Sequence, residues 1–136
     1  MSDNLDTVST FLDNLAERET MRQALELVAE DFEATEPASL PYGGTYRGPA
    51  GLLDMLRAVN AVVRLDVKQI RLTEVDTYVM AQVQVDVVAR GSGETLSTRV
   101  VELYSVAGGL ITRLDIFYND TAAIHRLLGS PGDYHS

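Results

Sequence analysis

Cysteine is absent from these 136 residues, so neither a disulfide nor a thiolate metal site contributes to the fold or its chemistry. Basic residues are scarce as well: 11 Lys and Arg stand against 20 Asp and Glu, a formal charge of −9. Such a balance repels phosphates and anionic lipid, which argues against nucleic-acid and membrane partners. Histidine occurs only at His125 and His135, without metal-ligand spacing, so no metal is expected. No phosphate loop or dinucleotide fingerprint is present, Gly43-Gly44 alone does not make one, and no cofactor is expected. No Ser–His partnership suggests a nucleophilic triad. No apolar run approaches the length of a membrane span. The opening Met-Ser-Asp-Asn-Leu-Asp has neither a basic nor an apolar region of signal-peptide type, so cytoplasmic residence is expected.

What remains is an ordinary globular composition, 46% hydrophobic and 23% charged. The length suits one domain over 1–136, with an ordered core of about 5–128 and a frayed tail over 130–136. Leu5, Val8, Leu12, Leu15 and Ala16 recur at helical spacing. A second helix is expected to carry Met21, Ala24, Leu25, Val28 and Phe32 on one face. Gly48-Pro49 opens a third, with Leu52, Leu53, Leu56, Val59 and Val63 as its apolar side. Four Val-, Ile- and Tyr-rich stretches follow, 65–73, 78–90, 95–106 and 110–118, separated by Asp76, Gly91-Ser-Gly93 and Gly108-Gly109. They read as an antiparallel meander, and Asn119 or Asp120 caps a short last helix. The class is α+β, with N-terminal helices packed on one face of a curved antiparallel sheet.

The segment from Glu36-Pro37 through Tyr42-Gly43-Gly44 and Tyr46 to Gly48-Pro49 can wrap the mouth of a pocket. Strand periodicity then sorts the candidates for that pocket. The even residues Met80, Gln82, Gln84, Asp86, Val88, Val100, Glu102, Tyr104, Leu114, Ile116 and Tyr118 are assigned to the concave, helix-covered face. The odd set, including Val79 to Val87, Val101, Leu103, Arg113, Asp115 and Phe117, is assigned to the outer face. That stripe is too apolar to leave wet, so a homodimer through the outer sheet face is expected. A slip of one residue exchanges the two sets.

Three stretches carry a family resemblance: Thr10-Phe-Leu-Asp-Asn-Leu-Ala16, Tyr46-Arg-Gly-Pro-Ala-Gly-Leu52, and Glu102-Leu-Tyr-Ser-Val-Ala-Gly-Gly-Leu-Ile111 running on to Phe117-Tyr-Asn-Asp120. With them the chain resembles the nuclear transport factor 2-like superfamily, and within it the SnoaL-like and ketosteroid-isomerase-like branch. The resemblance implies a cone of helices inside a curled sheet, with a pocket at the open end and dimerisation through the outer face. Ketosteroid isomerase uses a carboxylate before a proline as base, and Glu36-Pro37 stands at that place. It uses a second carboxylic acid on the penultimate strand as an oxyanion donor, which Glu102 matches. Its first-helix tyrosine is replaced here by Phe11, which speaks against steroid isomerisation. Limonene-epoxide-hydrolase-like members use an Arg-x-Asp pair and a later Asp, where this chain has Gln84-Val85-Asp86 and Ile116. SnoaL-like cyclases place an Asp on the last strand, and Asp115 is one residue out of phase with it.

Glu36 is accordingly expected to be a general base, its pKa raised by an apolar pocket. Glu102 is expected to be a protonated donor to a developing enolate, and Asp86 a third inward carboxylate able to activate water. Phe11, Tyr46, Gln84, Tyr104, Leu114, Ile116 and Tyr118 are expected to contact the ligand. The bland alternatives are an exposed loop Glu36, a Glu102 paired with Gln84, and core tyrosines. The function expected is cofactor-independent acid/base chemistry, an isomerase, cyclase or dehydratase acting on a small apolar carbonyl or polyketide-like ligand. The alternative is a non-catalytic ligand-binding or dimerisation module.

Overall fold

Val8 and Phe11 are buried along α1 (Asp3–Leu15), while Asp3 and Asp6 occupy its first turn, where the helix dipole favours negative charge. The computed structural model describes residues 3–129; the expected fraying of the tail lies outside them. A 3₁₀ turn (Arg18–Thr20) leads into α2 (Met21–Glu26). Here the structure departs from the expected second helix, because Val28 and Phe32 belong to a strand, β1 (Val28–Glu36). A spacing of four fits one helical turn and also two strand repeats, so periodicity alone could not separate them. Pairing decides: Ile111 donates its N–H to the carbonyl of Leu27 at 2.7 Å, and Val28 lies opposite Ile111 in a parallel ladder. Phe32, Ala34 and Glu36 then alternate inward with period two.

β2 (Gly44–Arg47) folds back on β1, and Pro49 begins α3 (Gly48–Val62), whose buried side carries Leu52, Met55 and Val59. The expected Val63 falls instead at the start of β3 (Val63–Val75). Then come β4 (Tyr78–Ala89), β5 (Thr95–Ala107), β6 (Leu110–Tyr118) and α4 (Thr121–Leu127). Asp120 caps α4 by accepting from the Ala123 N–H at 3.1 Å. Gly108 and Gly109, with φ of 60° and 80°, make the two-residue β5–β6 hairpin that only positive-φ residues close comfortably. The six strands run in the order β2-β1-β6-β5-β4-β3, all neighbours antiparallel except β1 beside β6. The result is a curved open sheet with α1 and α3 against its concave face.

The register corrects half of the face assignment. Across β5 and β6, Glu102 lies opposite Ile116 and Tyr104 opposite Leu114, so even residues meet even. Across β4 and β5, Val83 lies opposite Val100 and Ala81 opposite Glu102, so odd meets even. Two turns and one irregularity explain the difference. In both hairpins an even number of residues separates the first partners, Val88 from Thr95 and Ala107 from Leu110, which pairs unlike parities. A bulge on β6 facing Ser105 and Val106, where Thr112 is the extra residue, then restores like parity between β5 and β6. Hence Val79, Ala81, Val83, Val85 and Val87 are buried in the core, not on the outer face. The stripe on which the dimer expectation rested is inside the protomer, while Phe117 is 55% exposed on the outer face.

Candidate active site

Glu36 closes β1 and is only 6% exposed. The chain behind it turns sharply: Leu40 N–H donates to the Pro37 carbonyl at 3.0 Å, and Gly43 N–H to the Leu40 carbonyl at 2.8 Å. A Cβ at Gly43 would stand 2.1 Å from the Pro37 carbonyl oxygen, so only glycine permits the loop to close this tightly. The loop places Tyr42 inward, with its hydroxyl 2.8 Å from that of Tyr118 on β6, while the Tyr46 hydroxyl donates to the Tyr42 carbonyl at 2.7 Å. On β5 the Tyr104 hydroxyl donates to Glu102 Oε1 at 2.7 Å. Phe11 packs edge-on against the Tyr104 ring, with centroids 6.0 Å apart.

Between α1, α3 and the concave face lies a cavity of about 140 Å³. Glu36, Glu102, Tyr104 and Tyr118 are its chemically active lining, and Leu, Val, Ile and Met side chains make up nearly all the rest. Its lining among the described residues contains no Lys, Arg or His. Glu36 Oε1 is buried and meets no hydrogen-bonding group of the protein. A buried carboxyl oxygen in that condition is costly unless the group stays protonated or a ligand supplies the missing bond.

Electrostatics follow from this placement. Burial, and to a lesser degree the neighbouring Glu102 carboxyl, together push the Glu36 carboxyl up to about 8. Burial also raises Glu102, partly offset by the hydrogen bond from Tyr104. Tyr42 is pushed up to about 12, chiefly by burial, and Tyr118 is raised by burial and by Glu36. The Tyr42 and Tyr118 hydroxyls therefore keep their protons at neutral pH.

Of the residues expected from sequence, Glu36, Glu102, Tyr104, Leu114, Ile116 and Tyr118 line the cavity. Phe11 supports Tyr104 from behind without lining it, and Tyr46 braces Tyr42. Two expectations are corrected. Asp86 and Gln84 point away, because the β4 register turns their face outward. Asp86 accepts from Ser97 Oγ at 2.6 Å and lies 4.0 Å from Lys68 Nζ. Asp115 is also outside, accepting from Thr35 at 2.7 Å and Arg113 at 2.9 Å. The sequence reading missed Val83, Val85 and Val87 as lining, although their unbroken apolar alternation was the available signal. It also treated Tyr42 as a rim group, whereas its ring is 2% exposed. Among the described residues no group of three or more His, Asp or Glu stands together in a way that could hold a metal ion.

The profile of the SnoaL-like domain family matches residues 8–114, and the chain belongs to that family. Solved structures share the fold. A nuclear transport factor 2-like protein of unknown function from Burkholderia pseudomallei superposes with a TM-score of 0.81 at 22% identity, covering 94% of this chain and 98% of that one. TerC, co-crystallised with polyporic acid, gives 0.81 at 22% identity, covering 95% and 100%. A protein provisionally called a polyketide cyclase, from Xanthomonas campestris, gives 0.71 at 23% identity, covering 93% and 99%. No curated protein matches the chain in sequence.

Proposed function

We propose that this protein is an acid/base enzyme that moves a proton next to a carbonyl group, as in isomerisation, cyclisation or dehydration of a small apolar or polyketide-like compound. The observation that carries this reading is the unpartnered Glu36 Oε1, buried in an aliphatic cavity that it shares with a second carboxyl. In its ionised form Glu36 accepts a proton from the carbon beside the carbonyl and can return it at another carbon, so no co-reactant is consumed. In its protonated form, which burial favours, Glu102 donates from its free oxygen to the developing enolate oxygen. Tyr104 meanwhile holds the other oxygen. Tyr118 is a second donor on the same wall when the Tyr42 hydroxyl, its partner at 2.8 Å, donates to it. The names of structural neighbours, provisional polyketide cyclases and isomerases among them, lean the same way.

The test is deuterium exchange at the α-carbon of cyclohex-2-enone in D2O, followed by NMR. A six-membered ring suits a cavity near the size of one that accepts benzene, about 150 Å³. Exchange should be catalysed, should rise with pH through about 8 as Glu36 ionises, and should fall about a hundredfold or more in Glu36→Gln. Exchange in Glu36→Gln at the wild-type rate removes the assigned base. Binding of the ketone without exchange would favour the non-catalytic reading.

A further inference from the structure

Leu65, Val67 and Ile70 on β3 lie opposite Val87, Val85 and Val83 on β4, so they share the concave face; an irregularity after Val67 keeps Ile70 in phase. The β4 residues are buried, yet their three partners are 43%, 49% and 40% exposed. An apolar row facing water at the edge of a concave surface is unfavourable unless something covers it. Leu65 and Val67 also line the cavity, so the row continues the hollow instead of forming a separate patch. At the other end of the same hollow lies Glu36, 6% exposed.

Polarity is therefore graded across the sheet. The acids and tyrosines belong to β1, β5 and β6, whereas β4 and β3 contribute only aliphatic side chains. From β1 to β3 there are four strand spacings in the order β1-β6-β5-β4-β3, roughly 19 Å along the sheet. The cavity of about 140 Å³ is lined as far as Leu65 and Val67, and Ile70 lies beyond it. An anionic head group would meet Glu36 and Glu102 with no cation in the lining to offset them.

We propose that the site takes an elongated, uncharged amphiphile, with a carbonyl head against Glu36 and Glu102 and an apolar tail leaving the cavity over Leu65 and Val67 and lying along Ile70. The head-group half rests on the acid/base reading above; the tail half stands on the β3 row and its continuity with the cavity. The tail covers the exposed row, which supplies the hydrophobic driving force the small cavity lacks.

The experiment is calorimetric binding of cyclohex-2-enones bearing a linear 4-alkyl chain, from methyl to octyl, to wild type and to a Val67→Thr, Ile70→Thr double variant. Affinity should rise by about two- to fourfold per methylene in the wild type, because an open groove covers only part of the chain. The slope should flatten in the double variant, whose folding is checked by its thermal melt. Ile70→Thr alone, at an exposed edge, serves if the double variant is unstable. Octanoate at high pH, with a similar tail but an anionic head, should bind about tenfold or more weaker than the octyl enone. A flat wild-type series, or equal slopes in wild type and variants, overturns the tail track; octanoate binding as tightly as the enone overturns the head assignment. A steep series with no α-proton exchange supports the track while sinking the catalytic reading, so the two failures are distinguishable.

Discussion

Replacing Glu36 with glutamine keeps the shape of a buried side chain and removes its ability to ionise. The folded-state pKa of Glu36, about 8, lies above the ordinary 4.5 chiefly because burial disfavours the carboxylate, with the neighbouring Glu102 carboxyl acting in the same direction. The folded protein therefore binds this proton more tightly than the unfolded chain does. The associated stability is fully present below the unfolded value of 4.5 and is lost as pH rises through about 8. At about 1.4 kcal/mol per unit, the window corresponds to a loss on the order of 5 kcal/mol, comparable with the whole stability of a small domain. Urea unfolding of wild type and Glu36→Gln at pH values of about 5, 7 and 9 measures it. Stability of the wild type relative to the variant should fall across that range, more steeply between the lower and middle values than between the middle and upper, because the slope dies away once folded Glu36 ionises near about 8. The variant should be the more stable protein at the alkaline end. Parallel stability–pH curves for the two proteins would refute the reasoning, since they would mean that Glu36 titrates folded as it does unfolded.

Three further outcomes are expected. Tyr104→Phe leaves Glu102 Oε1 without its donor, which should cost about 1–3 kcal/mol in urea unfolding. It should also raise the Glu102 pKa further, because that bond is what holds it down; an unchanged pH profile of exchange would contradict this. Gly43→Ala drives a methyl into the Pro37 carbonyl, so the loop must open and release the Tyr42–Tyr118 contact. A clear drop in Tm, worth about 1–3 kcal/mol, should follow, and a wild-type melt would show that the loop has slack. Asp86→Asn should leave α-proton exchange unchanged, since Asp86 serves Ser97 and Lys68 on the outer face; a loss like that of Glu36→Gln would return it to the site.

Much of this was legible in the residues themselves. The meander from β3 to β6 follows from Val-, Ile- and Tyr-rich runs interrupted by glycine pairs and Asp76, because those residues determine where a chain can reverse. Pro49 marked the start of α3 for the same local reason. Glu36 and Glu102, 66 positions apart, came to one pocket separately, through a Pro/Gly turn and through strand alternation, and only the family resemblance gave them the roles of base and donor. Val28 and Phe32 were misread because their spacing satisfies two periodicities, and the partner that decides between them, Ile111, is remote in sequence. Asp86 and Gln84 were misplaced by parity, which depends on turn lengths and on one bulge within the β5–β6 pairing. Tyr42 was missed because a loop tyrosine has no periodicity to reveal its direction.

The amino-acid sequence alone determined the element types over most of the chain, its net acidic charge, and the absence of thiol chemistry. These depend on local sterics, propensity and summed charge, which act along a few neighbouring residues or on the chain as a whole. Only the tertiary structure decided which carboxylates share a cavity, which valines line it, and which edge of the sheet stays open. Those are properties of strand register and of pairing between distant segments, where one extra residue in a hairpin exchanges the inside of the protein for its outside.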